Sequence, residues 1–168
     1  NLSTVQLAAP GLVEEVAEIL ASSGVDPALI TLEVTESGLM SDVDAFLATL
    51  RSLKALGVRV AVDDFGTGYS SLSYLKQFPV DVLKIDASFI SGLDGDDRHD
   101  ASIVTAVVAL GDALGMDVLA EGVERATQAS ELRRLGCGLA QGFHFARPVG
   151  VPELTAMLSA GSATVHGS

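Results

Sequence analysis

Cysteine, tryptophan and basic residues are scarce in this chain of 168 residues. It contains one cysteine, Cys137, no tryptophan and 5% aromatic residues. A single cysteine cannot form an internal disulfide, which fits a reducing compartment. The chain has 10 Lys and Arg residues and 22 Asp and Glu residues, which gives a formal net charge of −12. Because strong binding to a polynucleotide relies on clustered Lys and Arg, this composition excludes a nucleic-acid-binding function.

Long apolar runs are also absent. No uninterrupted apolar stretch approaches the roughly 20 residues of a membrane span, and the first residues lack the apolar core of a secretory signal. We therefore expect no membrane contact by this chain and a cytoplasmic location. The sequence leaves open whether other domains tether a parent protein to a membrane.

The composition is that of one folded domain. Hydrophobic residues make up 48% of the chain and charged residues 19%, which excludes a disordered protein. The length fits one domain of about 100–200 residues but is short of the roughly 200 residues at which a complete (β/α)₈ barrel begins. No linker divides the chain, so we predict one domain over 1–160 and a disordered tail over 161–168.

Short apolar runs alternate with segments of helical periodicity. Helices are predicted between Pro10 and Gly24, from Asp42 to Gly57, around Leu72 and Leu75, through 103–114 and near Leu132. Gly92–Asp100 is predicted to be a loop. The runs predicted to be strands, with a final extended segment, are Ile30–Val34, Val58–Val62, Val82–Ile85, Val118–Ala120 and Leu139–Phe145. This alternation predicts right-handed βαβ units, hence an α/β fold with a parallel sheet covered by helices.

Acidic or polar residues follow almost every predicted strand. Because the carboxyl ends of parallel strands meet at one edge, these side chains are expected to converge there. Crowded carboxylates repel one another unless cations intervene, and oxygen-rich sites without thiols suit Mg²⁺, Mn²⁺ or Ca²⁺. Any one acid alone is equally well explained by helix capping or surface pairing, but the recurrence favours a metal site. The residues concerned are Glu33, Glu36, Asp63, Asp64, Lys84, Asp86, Glu121, Glu124 and Gln141.

The segment Asp63–Ser71 reads Asp-Asp-Phe-Gly-Thr-Gly-Tyr-Ser-Ser. Its Asp-Phe-Gly also occurs in protein kinases, but the other kinase motifs are missing, so that interpretation is rejected. Adjacent aspartates can serve two metals if the backbone bends between them, and Gly66 and Gly68 permit a tight loop. The alternative is a helix cap with a turn.

The remaining chemically active side chains are weaker candidates. His99 and His166 lie in polar segments and are expected to be solvated, and His144 is expected at a packed or rim position. Cys137 follows Gly136 without a neighbouring base and is expected to be a small buried group.

Several motifs, in this order and spacing, strongly resemble the EAL domain family over residues 1 to about 152. They are Asn1-Leu-Ser, Leu32-Glu-Val-Thr-Glu-Ser, Asp63-Asp-Phe-Gly-Thr-Gly-Tyr-Ser-Ser-Leu, Leu83-Lys-Ile-Asp, Ala120-Glu-Gly-Val-Glu and Gln141-Gly-Phe. The resemblance implies a bacterial signalling phosphodiesterase that opens the second messenger cyclic di-GMP to linear pGpG. It further implies Mg²⁺ or Mn²⁺ as cofactor, with two ions per site in the intact domain.

The resemblance also implies a role for each site residue. Asn1, Glu33 and Asp63 would bind one metal and Asp64 the second, while Lys84 and Glu121 would position and activate the water. Glu36 would anchor the loop after Asp63, Gln141 would lie beside the metals, and Asp86 and Glu124 would support the site. Two bridged cations lower the pKa of a shared water and stabilise charge on the scissile phosphate.

One departure from the family pattern is important. The Glu-Ala-Leu segment that names the family, and supplies a metal ligand, does not occur in this sequence. The resemblance therefore implies an incomplete TIM-type barrel, about six of eight strands, with the first two missing. Exposed sheet edges would then favour a homodimer or other edge pairing. We expect this chain alone to hydrolyse cyclic di-GMP weakly or not at all.

Two other functions stay open at this point. A non-catalytic EAL-type module would bind cyclic di-GMP or a protein partner, although such modules usually lose ligands within motifs that are intact here. An open flavodoxin-like sheet with an acidic phosphoacceptor, as in response-regulator receivers, is disfavoured by the spacing of the later motifs.

Overall fold

The computed structural model describes residues 1–39, 42–67, 75–95 and 98–159. The predicted loop residues 68–71, the centre of the helix predicted around Leu72 and the predicted tail 161–168 lie outside these ranges. In chain order the elements are α1 (Thr4–Leu7), α2 (Leu12–Ser23), a 3₁₀ turn (Pro27–Leu29), β1 (Thr31–Thr35), α3 (Glu36–Leu39), α4 (Val43–Ala55), β2 (Arg59–Phe65), β3 (Val82–Ile85), α5 (Ala87–Ser91), α6 (His99–Leu114), β4 (Asp117–Ala120), α7 (Ala126–Arg134), β5 (Leu139–Ala140) and α8 (Val151–Ser159).

The strands form one parallel sheet in sequential order from β1 to β5. This confirms the predicted α/β fold with an incomplete barrel. The first residues add less than a full strand, because only Leu2 bridges to Val34. Ser3 then caps α1 through its side chain, so the chain turns into a helix at Thr4. The N-terminal segment thus supplies one bridge beside five described strands.

The centre of the sheet is buried on both faces. In β2, Val60 and Val62 are buried, and all four residues of β3 are buried. Helix α4 buries Leu50 and Leu53, and α6 buries Val104, in the same core. Side chains of β3 therefore cannot reach bulk water, which makes its one charged residue notable.

Three sequence-based boundaries were wrong. Strand β2 continues to Phe65 instead of ending at Val62, so Asp63 and Asp64 lie within its last residues. Strand β5 ends at Ala140 instead of continuing to Phe145, because the chain turns at Gly142 and the Phe145 N–H donates to the Gly142 carbonyl at 3.0 Å. The predicted loop Gly92–Asp100 is partly helical, since α6 already begins at His99.

Among the described residues, no helix is long and apolar enough to cross a bilayer.

Candidate active site

Lys84 is the centre of a charged cluster at the carboxyl edge of the sheet. Its side chain is 4% exposed, and its Nζ lies 2.9 Å from Glu33 Oε1, 3.0 Å from Asp63 Oδ1 and 2.6 Å from Glu121 Oε1. The four residues come from β1, β2, β3 and the position directly after β4. The predicted convergence of strand-end side chains is therefore present in the structure.

The protonation state of Lys84 follows from this arrangement. Burial alone would lower the pKa of Lys84, but hydrogen bonds to Glu121, Glu33 and Asp63 outweigh it and raise the pKa above its ordinary value. Lys84 is therefore an ammonium group that donates hydrogen bonds. Burial raises the pKa of Glu121, and the neighbouring Lys84 offsets part of that effect.

Asp64 and Asp86 form a second acidic group beside this cluster. Asp64 has a positive φ of 56°, which is uncommon for a residue with a side chain and bends the chain directly after Asp63. Burial, and then the charges of Asp63 and Asp86, raise the pKa of Asp64. Asp86 also begins α5, accepting a hydrogen bond from the Ser88 N–H at 2.9 Å. The adjacent aspartates Asp63 and Asp64 thus belong to different groups of contacts.

Glu36 holds the described part of the loop that follows β2. It is 3% exposed at the start of α3, and its Oε2 accepts the Gly66 N–H at 2.9 Å. Gly66 has φ 98°, and a Cβ there would lie 3.1 Å from the Phe89 ring. A residue with a side chain at position 66 would be strained, so the contact with Glu36 depends on glycine.

The other predicted site residues are placed less centrally. Gln141 donates from Nε2 to Glu121 Oε1 at 2.6 Å. Asn1 is exposed, and the N–H of its neighbour Leu2 donates to the Glu33 carbonyl at 2.7 Å, which places Asn1 next to β1. The Glu124 side chain is exposed just before α7. The structure thus brings Gln141 to the cluster and leaves Glu124 at its periphery.

Sequence reasoning missed Gln128. Among the described residues the buried polar or charged side chains are Glu36, Lys84 and Gln128, and Gln128 is 1% exposed. It is the third residue of α7, where glutamine commonly bonds back to the start of a helix. The sequence therefore contained a helix-capping signal at Gln128, but it gave no indication that this side chain also bonds to a residue distant along the chain.

Three of the weaker candidates, His99, His144 and Cys137, lie where they were expected. His144 is exposed, with its ring 5.0 Å from that of Phe145, and His99 is exposed in α6. Cys137 is buried, and burial raises the pKa of its thiol. His166 lies outside the described residues.

The donor chemistry of the cluster fits a hard divalent cation. Three carboxylates share one ammonium, and Asp64 and Asp86 add further negative charge beside it. Within the described ranges no three acidic, histidine or cysteine side chains surround a common metal position. The carboxylates converge on Lys84 instead, so a bound cation would compete with Lys84 for the same oxygens.

Several known proteins are similar to this chain in sequence and in fold. The sequence profile of the EAL domain matches residues 1–148. The chain is 48% identical over 159 residues to the bifunctional diguanylate cyclase/cyclic di-GMP phosphodiesterase MucR of Pseudomonas aeruginosa, covering 95% of this chain and 23% of MucR. The structure of the PaMucR phosphodiesterase in complex with c-di-GMP superposes with a TM-score of 0.87 at 49% identity, covering 92% of this chain and 62% of that chain.

Two further solved structures are similar. The EAL domain of Mycobacterium smegmatis DcpA superposes with a TM-score of 0.90 at 46% identity, covering 98% of this chain and 73% of that chain. A calcium/cy-diGMP complex of Klebsiella pneumoniae BlrP1 gives a TM-score of 0.75 at 36% identity, covering 85% of this chain and 36% of that chain. The chain therefore spans only part of these relatives. The profile match, the sequence identity and the incomplete parallel barrel agree, and the chain belongs to the EAL domain family.

Proposed function

We propose that this chain carries the catalytic edge of a metal-dependent phosphodiesterase that hydrolyses cyclic di-GMP to pGpG, and that its own turnover is weak. The observation that carries the proposal is the buried Lys84 ammonium, which joins Glu33, Asp63 and Glu121 from neighbouring strands. Burying a lysine and placing three carboxylates around it costs desolvation free energy, and stabilisation of a surface does not account for that cost.

The metal ligands in this proposal lie in the cluster or beside it. Glu33 and Asp63, with Asn1 beside β1, would hold one Mg²⁺ or Mn²⁺, and Asp64 would hold the second. When bound, such ions lower the pKa of a coordinated water and offset negative charge on the phosphate. An acidic protein can in this way accept an anionic dinucleotide.

The other site residues orient and accept protons. Lys84, as an ammonium group, cannot take a proton, and its three N–H groups are directed to Glu33, Asp63 and Glu121. It would donate to a water or phosphate oxygen once a bound cation had drawn one of these carboxylates away. Glu121 would accept the water proton, and both Lys84 and Gln141 contact its Oε1 at 2.6 Å. Glu36 would anchor the loop after β2, Asp86 would fix Asp64, and Glu124 would support the turn after β4.

Weak turnover is expected because this chain provides fewer ligands than the family motif. No Glu-Ala-Leu segment occurs in the sequence, so the carboxylate ligand of that motif is missing from this chain. Loss of a ligand weakens metal binding and admits bulk water to the site. We place the domain at 1–160, in the cytoplasm, and propose pairing through the exposed edges of the sheet as a homodimer.

Calorimetry and product analysis test this function together. Cyclic di-GMP should bind the chain in the presence of Ca²⁺, and chromatography should find little pGpG in Mg²⁺ or Mn²⁺. Lys84→Met should abolish binding. The control is Lys54→Met, which should bind normally, because Lys54 is not part of the cluster and its Nζ pairs with Asp81 Oδ1 at 2.7 Å. Rapid conversion would refute the weak turnover, and absence of binding under all of these conditions would refute the function.

A non-catalytic cyclic di-GMP-binding module is the second candidate. One observation favours it: within the described ranges the carboxylates already satisfy Lys84 and leave no preformed metal position. Such a module would bind cyclic di-GMP equally well in EDTA and in Ca²⁺. A dependence of affinity on the divalent cation would favour the enzyme instead.

A further inference from the structure

Gln128 connects the turn after β4, which begins with Glu121, to helix α5, which follows the strand that carries Lys84. Its Oε1 accepts the N–H groups of Glu124 at 2.9 Å and Arg125 at 3.0 Å. Its Nε2 donates to the Ile90 carbonyl at 2.9 Å, across 38 residues of sequence. One buried side chain therefore bonds the turn after β4 to helix α5 after β3.

These two connections lie close to the reacting groups. Glu121 begins the turn after β4, and its N–H donates to the Ile85 carbonyl at 3.1 Å. Gly122 packs on the first residue of α5, where a Cβ would lie 2.6 Å from Ala87 Cβ. The turn is thus pressed against α5 near Glu121 and bonded to α5 through Gln128 at its far end.

Helix capping explains two of the three hydrogen bonds described for the Gln128 side chain. The bonds to Glu124 and Arg125 satisfy amides at the start of α7, as a glutamine at this position commonly does. The bond to Ile90 satisfies nothing in α7. A buried amide with its donor committed to a second element fixes the distance between the two elements, because breaking that bond leaves unsatisfied polar groups inside the protein.

We propose that Gln128 is a positioning residue of this site, which sets Glu121 against Lys84 by locking the turn after β4 to helix α5. This inference rests on the proposed function, since it assigns Gln128 a part in binding cyclic di-GMP. Gln128 itself touches neither Lys84 nor Glu121 through the bonds described. Its effect passes through the backbone of residues 121–125.

Amide hydrogen exchange tests the lock without any ligand. Gln128→Met keeps the size of the side chain and removes its hydrogen bonds, so exchange at the Glu124 and Arg125 amides should accelerate by about tenfold or more. Leu132→Ala is the matched control, because Leu132 is 1% exposed on the same helix and its truncation leaves a cavity without removing a side-chain hydrogen bond. Equal exchange in Gln128→Met and in the unsubstituted chain would overturn the proposal.

Calorimetry with cyclic di-GMP and Ca²⁺ tests the effect on the site, at a temperature where each variant is folded. Gln128→Met should weaken binding by about tenfold, while Leu132→Ala should bind normally. Gln128→Glu keeps an acceptor for the two amides but loses the donor to Ile90. If Gln128→Glu binds cyclic di-GMP weakly while its Glu124 and Arg125 amides stay protected, the bond to Ile90 is needed and the proposal is supported. If Gln128→Glu binds normally, Gln128 is only a helix cap and the proposal is refuted.

The two tests also separate this inference from the proposed function. If the unsubstituted chain fails to bind cyclic di-GMP, the proposed function fails, while exchange at Glu124 and Arg125 still decides whether Gln128 orders the turn. If the unsubstituted chain binds and Gln128→Met binds equally well, the proposed function stands and the positioning role is refuted.

Discussion

Removal of the Lys84 charge should destabilise the protein at neutral pH and make it depend on divalent cations. In Lys84→Met, three carboxylates that contacted one ammonium are left facing one another. Breaking a buried ion pair from one side costs about 3–5 kcal/mol. The carboxylates are 17–26% exposed, so water screens part of the repulsion and we expect a loss of about 2–3 kcal/mol.

Urea unfolding at two pH values measures this effect. The loss should be larger at pH 7 than near pH 4, because burial raises the pKa of Glu121 and protonation of that carboxyl group removes part of the repulsion. Ca²⁺ at millimolar concentration should restore more stability to Lys84→Met than to the unsubstituted chain, since a cation can replace the ammonium charge. In the control Lys54→Met, a partly exposed pair is lost and about 1 kcal/mol or less should follow. A Lys84→Met variant as stable as the unsubstituted chain at pH 7 would refute the reasoning.

Three further predictions concern other parts of the structure. Gly142→Ala should lower the melting temperature by several degrees, because the added Cβ would lie 2.2 Å from the Val123 carbonyl oxygen. Gly138→Ala is the control, since no atom lies within 4 Å of a Cβ added there, and equal melting temperatures of the two variants would contradict the prediction. Since the folded pKa of Lys84 is above its reference value of 10.5, the folded chain holds this proton more tightly. That stability should be intact below about pH 10 and fall as the pH rises further, and urea midpoints that decline equally in Lys84→Met would argue against it. Cys137 is buried with a raised thiol pKa, so a thiol reagent at pH 8 should modify it slowly in the folded chain and rapidly in urea; fast modification without urea would contradict that burial.

Local patterns determined most of the scaffold from the sequence. The β-branched runs predicted the described strands, because a strand buried on both faces needs consecutive apolar residues. The position of Lys84 inside the apolar run Val82–Ile85 favours a paired lysine, since an ammonium group is costly to bury alone. The strand-end acids were expected to share an edge, because parallel topology forces their ends together.

Only the tertiary structure decided how these pieces meet. That three carboxylates converge on Lys84 depends on strand register, which side-chain periodicity within one strand does not specify. The end of β5 at Ala140 depends on the turn at Gly142 and its close approach to Val123. Gln128 looked like an ordinary helix residue, because its partner Ile90 is distant along the chain and is brought near only by folding. Periodicity and capping act over a few residues, whereas the contacts that build this site join distant elements, and those contacts exist only when the core has closed.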